Sequence, residues 1–155
     1  MAIRRMSAMV LGALGVTLLF GGGAYAAAAS PCTLLTLQQV GAVLGASFDK
    51  AIPAGAKVCE WIATGPSGPN GTKKVELAMV PANEFATRVS PVPAPMTRTP
   101  VSGVGDAANY ETTPMGGTLS VKKGDSYFIL QVRGVPVANQ QQMEVTLAQD
   151  AVSKL

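Results

Sequence analysis

Two cysteines, Cys32 and Cys59, are the residues of this chain best suited to covalent chemistry. They lie 27 positions apart, unlike the CxxC spacing of redox sites, and the chain of 155 residues has no histidine to complete a zinc site with them. An even number of cysteines behind an export signal favours a disulfide, which for a loop of this length would stabilise the fold by roughly 3–4 kcal/mol. We therefore predict a structural Cys32–Cys59 disulfide and no metal or redox centre.

The absence of histidine also removes Ser–His–Asp and Cys–His nucleophilic sites. The carboxylates remain as candidate acids and bases. They are Asp49, Glu60, Glu76, Glu84, Asp106, Glu111, Asp125, Glu144 and Asp150. A glycosidase-like site needs two carboxyl groups about 5–9.5 Å apart in a cleft, and nothing in the sequence pairs any two of them. We interpret them as solvated surface charges and predict no catalytic or cofactor-binding residue.

The segment Gly103-Val104-Gly105-Asp106 has the beginning of a dinucleotide-binding motif. It lacks the third glycine of that motif, however, and precedes a predicted strand rather than a helix. A tight turn explains it better, with glycine taking a positive φ and Asp106 accepting hydrogen bonds from nearby amides.

Aromatic side chains are few, at 5% of the chain, and half of them fall in predicted strands. Trp61, Tyr110 and Tyr127 could contact an apolar ligand or a partner, together with Phe128. The alternative, that these side chains belong to the core, is the more common role of strand aromatics. Both interpretations stay open at the level of sequence.

The first 26 residues have the three parts of a cleaved signal peptide. Arg4 and Arg5 give a positive start, an apolar run covers 9–20, and Ala24-Tyr25-Ala26 provides small residues for a signal peptidase. The apolar run is shorter than the roughly 20 residues of a membrane-spanning helix. We predict cleavage after residue 26, one domain over 27–155, a periplasmic or secreted location and no stable membrane anchor.

Charge argues against a nucleic-acid partner. The whole chain has a net charge of +3, and removing residues 1–26 leaves ten basic and nine acidic residues, or +1. No basic run exceeds two residues, as at Lys73-Lys74 and Lys122-Lys123, so neither a nucleic-acid footprint nor a polybasic membrane patch is present in the sequence.

The order of elements predicts an α+β fold. Thr36 and Gln39 form a capping box for a first helix that ends at Gly45. Strands are expected at 57–64, 72–80, 107–112, 117–122 and 126–133, with a short helix at 81–88 and an extended surface loop at 89–100. Asn139 is expected to cap a final helix, with an apolar stripe of Met143, Leu147, Ala151 and Leu155. Short turns between consecutive strands favour an antiparallel sheet of about five strands flanked by helices.

Apolar residues occur on both sides of the last predicted strand. Phe128, Leu130 and Val132 face one way, whereas Tyr127 and Ile129 face the other. A strand of this kind is typical of the centre of a sheet that is covered on both faces.

Four stretches carry a family resemblance. They are PCTLLTLQQVGAVLG (31–45), CEW (59–61), GVGDAANYE (103–111) and GGTLSVKKGDSYFILQV (116–132). In this order they resemble a domain-of-unknown-function family of small exported bacterial proteins, many of them actinobacterial lipoproteins. The resemblance implies a PsbP-like fold, an antiparallel sheet flanked by helices, and brings no catalytic residues with it. The chain lacks the lipid-attachment cysteine of many members, since Ser30-Pro31 precedes Cys32.

Together these features favour a non-catalytic exported module of the cell envelope without a cofactor. Its partner would be an envelope protein or an apolar small molecule. The alternative function is a histidine-free hydrolase that uses carboxylates, which would require a buried Asp/Glu pair in a concave pocket.

Overall fold

The computed structural model describes residues 30–88 and 90–155, so the predicted signal peptide lies outside the described residues. The helices are Pro31–Leu34 (α1), Leu37–Leu44 (α2), Phe85–Arg88 (α3) and Val137–Val152 (α4), with a 3-10 turn at Ala82–Glu84. The strands are Phe48–Pro53 (β1), Val58–Ala63 (β2), Lys74–Val80 (β3), Thr97–Val101 (β4), Ala107–Thr113 (β5), Gly116–Lys123 (β6) and Ser126–Arg133 (β7).

All seven strands form one antiparallel sheet in the order β1-β2-β3-β7-β6-β5-β4. The first three strands form one meander and the last four form another. The chain joins the two by pairing its last strand, β7, with β3. The predicted α+β class with an antiparallel sheet is confirmed, and β7 is the central strand, as its two apolar sides indicate. The predicted number of about five strands was too low by two.

The two strands that the sequence analysis missed are the sheet edges, β1 and β4. In β1 only Phe48 is buried, so the strand shows no alternation of apolar and polar residues. β4 begins at Thr97 inside the segment predicted as a surface loop, and that prediction was wrong at its carboxyl end. Pro100 is compatible with β4 because an edge strand has one neighbour, and a residue without an N–H need not interrupt a second ladder.

The first predicted helix is confirmed as α2. Thr36 Oγ1 accepts a hydrogen bond from the Gln39 N–H, and Gln39 Oε1 accepts one from the Thr36 N–H, which completes the capping box. Gly45 ends the helix in the left-handed conformation with φ 58°. The helix buries Val40 and Leu44 against the core.

One face of the sheet packs against α1, α2 and α4 and forms the main core. Trp61, Leu77 and Leu130 are fully buried there, on three adjacent strands. The Cys32–Cys59 disulfide is confirmed, with a Cα–Cα distance of 5.1 Å. It connects α1, a helical turn that the sequence analysis did not separate from α2, to the strand that carries Trp61.

The opposite face is covered in part by α3. Phe85 packs its ring against Tyr127 in an edge-to-face arrangement with ring centroids 5.3 Å apart. Tyr127 is fully buried, and its hydroxyl hydrogen-bonds Ser120 Oγ at 3.4 Å. The central strand β7 is therefore covered on both sides where it begins.

The turn predicted at 103–106 is confirmed. Gly103 and Gly105 have φ values of 78° and 59°. Asp106 accepts hydrogen bonds from the Gly124 N–H at 2.7 Å and from Lys123 Nζ at 2.9 Å, which lower the pKa of its carboxyl group. The turn thereby fixes the chain before β5 to the β6–β7 hairpin.

The last helix differs from its prediction in its start and in its buried face. It begins at Val137 behind Pro136, and not behind Asn139. The predicted apolar stripe includes Leu147 and Ala151, which are buried, but two polar residues complete the buried face. These polar residues are Gln140 and Glu144, and the reason for their burial is found in the sheet.

Candidate functional site

The structure does not bring the three aromatic candidates together. Trp61 on β2 and Tyr110 on β5 lie on the helix-covered face with three strands between them. Tyr127 lies on the other face. Trp61 is fully buried, and its indole N–H has no acceptor among the described residues. The role of these residues as ligand or partner contacts stays a prediction, and of the three only Tyr127 adjoins a pocket described below.

The most apolar of these pockets, with a volume of about 460 Å³, lies at the end of the sheet where β7 begins. We call it the Val80 pocket. Its apolar wall consists of Met79, Val80, Pro81 and Ala82, while the buried Tyr127 supports its floor. Val80 is paired with Tyr127 across the β3–β7 ladder, so the wall and the floor belong to neighbouring strands.

Local sequence explains why the chain leaves the sheet at this pocket. Pro81 follows the last residue of β3 and begins the 3-10 turn, which leads to Phe85. The Phe85–Tyr127 contact then holds α3 against the sheet beside the pocket. The apolar wall is therefore anchored at both of its ends.

Polar residues lie at the rim of the Val80 pocket. Lys57 immediately precedes β2, Asp125 lies in the β6–β7 turn, and Ser126 is the first residue of β7. Lys57 and Asp125 are exposed and carry opposite charges. A ligand in the pocket would thus meet an apolar wall and a solvated polar rim.

A second feature is a gap between β6 and β7 at the other end of the sheet. The pairing of these strands stops at Leu119 and Leu130, although β7 stays paired with β3 as far as Arg133. In register, Gly117 would be opposite Val132, but the two are not paired. We call the space between residues 116–118 and 131–133 the strand gap.

Side chains of α4 replace the missing ladder hydrogen bonds. Gln140 Oε1 accepts a hydrogen bond from the Gly117 N–H at 2.9 Å, and Glu144 Oε1 accepts one from the Val132 N–H at 2.8 Å. One helical turn separates the two side chains, so both reach the same gap. The polar residues on the buried face of α4 therefore satisfy backbone donors that the splayed strands leave without partners.

Glu144 is fully enclosed, and its second oxygen, Oε2, has no partner among the described residues. Burial raises the pKa of its carboxyl group to about 8, against the opposing effect of the Val132 N–H and the nearby Leu119 N–H. Glu144 is thus mostly a neutral acid at pH 7. Burial, together with the charge that Glu144 would carry, raises the pKa of Tyr110 to about 12.

A glycine is required at position 117 by the close approach of Tyr110. A Cβ atom there would lie 1.8 Å from the Tyr110 hydroxyl oxygen. We expect Gly117→Ala to lower the free energy of unfolding by about 2 kcal/mol or more, since the ring and the strand must move apart. Urea unfolding followed by circular dichroism measures this. Gly68→Ala is the control, because its Cβ would approach no atom closer than 4.0 Å. Equal stability of the two variants would contradict the expectation.

Several of the remaining charged groups form ion pairs. Lys74 bridges Glu60 and Glu76, Arg98 binds Glu111, and Lys123 binds Asp106. Within residues 30–88 and 90–155, no three His, Cys, Asp or Glu side chains form a group that could hold a metal ion. No helix within those same ranges has the length and apolar character needed to cross a membrane.

The sequence analysis missed Gln140 and Glu144 as residues of interest. The sequence does contain a pattern that could have identified them, because positions 140, 144, 147, 148 and 151 lie on one face of an α-helix. Glu144 was interpreted as a solvated surface charge, and this interpretation is wrong because the residue is fully buried. No local pattern in the sequence shows that a strand pair opens beneath Gln140 and Glu144.

In the comparisons with known proteins, the chain matches no protein-family model, no curated protein and no solved structure. The family resemblance and the PsbP-like fold therefore stay predictions, and function must be argued from the pockets and the charges of the chain itself.

Proposed function

We propose that this chain is a non-catalytic exported module of the cell envelope that binds an apolar small molecule in the Val80 pocket. The observation that carries the proposal is the apolar wall, Met79 to Ala82, which stays open at the end of the sheet although the core beside it is filled. Apolar surface left accessible and concave is the usual mark of a ligand site.

The size and the lining of the pocket are consistent with such a ligand. Its volume of about 460 Å³ is within the range of roughly 300–1,000 Å³ that small-molecule sites occupy. Lys57, Asp125 and Ser126 at the rim could orient a polar end group, while the wall would bury the apolar body.

The compartment fits the proposal as well. A disulfide such as Cys32–Cys59 is consistent with an oxidising, extracytoplasmic location. The predicted signal peptide supports the same location, which makes lipophilic compounds of the envelope the chemical class to test. An envelope protein that inserts an apolar side chain would use the same wall, and the experiment below separates the two.

The carboxylate-based hydrolase receives less support from the geometry. Such an enzyme needs two carboxyl groups in one cleft. The Val80 pocket has one carboxylate, Asp125, and the pocket at the strand gap has none. Glu144 has a raised pKa, but it is enclosed and cannot touch a substrate in this conformation.

The test is binding of the apolar fluorescent probe N-phenyl-1-naphthylamine to the mature protein purified without detergent. We expect saturable enhancement of the probe fluorescence, and at least tenfold weaker binding by Ala82→Trp, because the indole would fill the pocket. Ala86→Trp is the matched control, since Ala86 lies nearby on α3, is exposed and does not line the pocket. Circular dichroism would verify that both variants fold.

Equal probe affinity in both variants would contradict the proposal. Native mass spectrometry of the same preparation adds a second readout. A bound mass of a few hundred daltons that Ala82→Trp eliminates would identify a small-molecule ligand. Absence of both probe binding and a bound mass would direct attention to a protein partner.

A further inference from the structure

We propose that the strand gap is a second binding site, which takes the carboxylate of an organic acid that carries a small apolar group. The site goes beyond the function proposed above. It lies at the end of β7, whereas the Val80 pocket lies at its start, and the two pockets share no lining residue.

A pocket of about 250 Å³ opens on the strand gap. Its lining includes one arginine, Arg133, and three side-chain amides, Asn70, Gln131 and Gln140, but no aspartate or glutamate. A polar pocket with a single positive charge and no acidic residue is suited to an anion.

Gln140 is the most buried polar residue that lines the pocket, with a relative exposure of 4%. Because Oε1 accepts the hydrogen bond from the Gly117 N–H, the orientation of the amide is fixed. Its Nε2 donates no hydrogen bond to a described residue, and it is not among the buried atoms that lack a partner. This nitrogen therefore keeps some exposed surface, and because Gln140 lines the pocket, its N–H groups are candidate donors to a ligand.

The amino terminus of α4 adds a second set of donors. Val137, the first residue of this sixteen-residue helix, lines the pocket, and no side chain caps the helix at Pro136. The first backbone N–H groups of a helix lack internal partners, and the aligned peptide dipoles place partial positive charge at this end. Both properties favour an anion next to Gln140.

Arg133 is held at the gap by Gln131. The Arg133 Nε and Nη2 atoms both donate to Gln131 Oε1, at 3.2 and 2.7 Å. Gln131 Nε2 in turn reaches the Gly117 carbonyl at 3.4 Å. The ion pairs within the described chain do not include Arg133, so a ligand could provide its counter-charge.

The rim of the pocket is apolar. Met115 is 92% exposed and Val137 is 49% exposed, and both line the pocket. Large hydrophobic side chains with so much surface in water are rare elsewhere in residues 30–88 and 90–155, where Ile62 and Leu155 are the others. A ligand that places an apolar group against Met115 and Val137 would cover this surface.

The charge of the lining favours a carboxylate over a phosphate. One guanidinium group balances one negative charge, and a phosphate dianion would leave the second charge without a cation in the pocket. The acid could be a free small molecule or the last residue of a polypeptide, since both present a carboxylate beside an apolar group.

NMR titration of the ¹⁵N-labelled protein with hexanoate, N-acetyl-leucine and N-acetyl-leucinamide tests the site. We expect both acids to shift the Gly116 and Gly117 amide signals and the Gln140 side-chain signals. The neutral amide should bind at least tenfold more weakly than N-acetyl-leucine. Tighter binding of hexanoate would indicate a free acid as the natural ligand, and tighter binding of N-acetyl-leucine would indicate a chain terminus.

Arg133→Gln should weaken binding of the acids at least tenfold. Arg133 is exposed, so the variant should fold. Lys50→Gln removes the same charge from an exposed position on β1 and is the matched control. Signals of Val80 and Ala82 report separately on the Val80 pocket, so failure at one site is distinguishable from failure at the other.

Four results would overturn the proposal. The first is equal binding of N-acetyl-leucine and its amide, and the second is unchanged affinity in Arg133→Gln. The third is tighter binding of inorganic phosphate than of either acid. Absence of any shift at the strand gap with tens of millimolar acid would also overturn it.

Discussion

Raising the pH from about 5 to about 8 should lower the free energy of unfolding by about 3–4 kcal/mol, and Glu144→Gln should remove most of that loss. The reason is the difference between the pKa of Glu144 in the folded protein, about 8, and its ordinary value of 4.5. In this pH range the unfolded chain releases the proton of Glu144, whereas the folded protein keeps it.

The sign follows from the direction of the shift. Because the folded state binds the proton more tightly, the contribution of Glu144 to stability is fully present below pH 4.5 and is lost as the pH rises through about 8. Other shifted groups titrate outside this window. The pKa of Asp106 is lowered from 3.8, that of Lys74 is raised from 10.5, and that of Tyr110 is raised to about 12.

Urea unfolding at a series of pH values measures the effect. Glutamine has the size of the neutral acid and keeps an oxygen for the Val132 N–H, so the Glu144→Gln variant should unfold with a nearly constant free energy between pH 5 and 8. The exposed residue Glu84 supplies the control, and Glu84→Gln should follow the wild-type curve. A wild-type curve that rises with pH over this range would show that Glu144 is ionised in the folded protein.

Removal of the disulfide has the other large expected effect. We expect Cys32→Ala/Cys59→Ala to lower the free energy of unfolding by about 3–4 kcal/mol, because the unfolded chain loses a cross-link that closes a loop of 27 positions. This corresponds to a decrease of roughly 10–15 °C in Tm. Alanine is the appropriate replacement because Cys59 is fully buried, and removing a serine hydroxyl from water at this position would add a separate free-energy cost.

Reduction provides the matching control for this variant. A thiol reductant should destabilise the wild-type protein by a similar amount and leave the double alanine variant unchanged. A loss below about 1 kcal/mol in both experiments would mean that α1 and β2 stay associated in the unfolded chain without the bond. Thermal unfolding by circular dichroism at one fixed pH separates this effect from that of Glu144.

The sequence alone predicted an element correctly wherever several local features indicated the same structure. For α2, the Thr36–Gln39 capping box, the apolar stripe and Gly45 all indicate the same boundaries. For β7, apolar residues on both faces indicate a central strand. The edges of the sheet could not be predicted in this way. β1 and β4 bury few side chains, so they have no clear period of two. Pro100 also lowers the expectation of any strand at this position, because only an edge strand tolerates a residue without an N–H.

Prediction of the sites was limited by a different cause. The Val80 pocket combines residues from three separate strands and turns, which no local pattern places together. The strand gap depends on the loss of the ladder pairs between residues 116–118 and 131–133. This loss becomes visible only when the side chains of Gln140 and Glu144 are seen to accept the hydrogen bonds of the Gly117 and Val132 N–H groups. The disulfide, in contrast, could be predicted because the chain has only two cysteines.

The central position of the last strand has a consequence for the order of folding. Its pairing with β3 joins residues between 47 and 59 positions apart, and β3 and β6 each have an unpaired edge until β7 arrives. A chain that emerges amino end first, from a ribosome or a translocation channel, cannot complete its sheet before residue 133 is free. Until then two incomplete sheets expose hydrogen-bonding edges, which neighbouring chains can join. Truncation before β7 should therefore yield aggregation rather than a smaller folded domain.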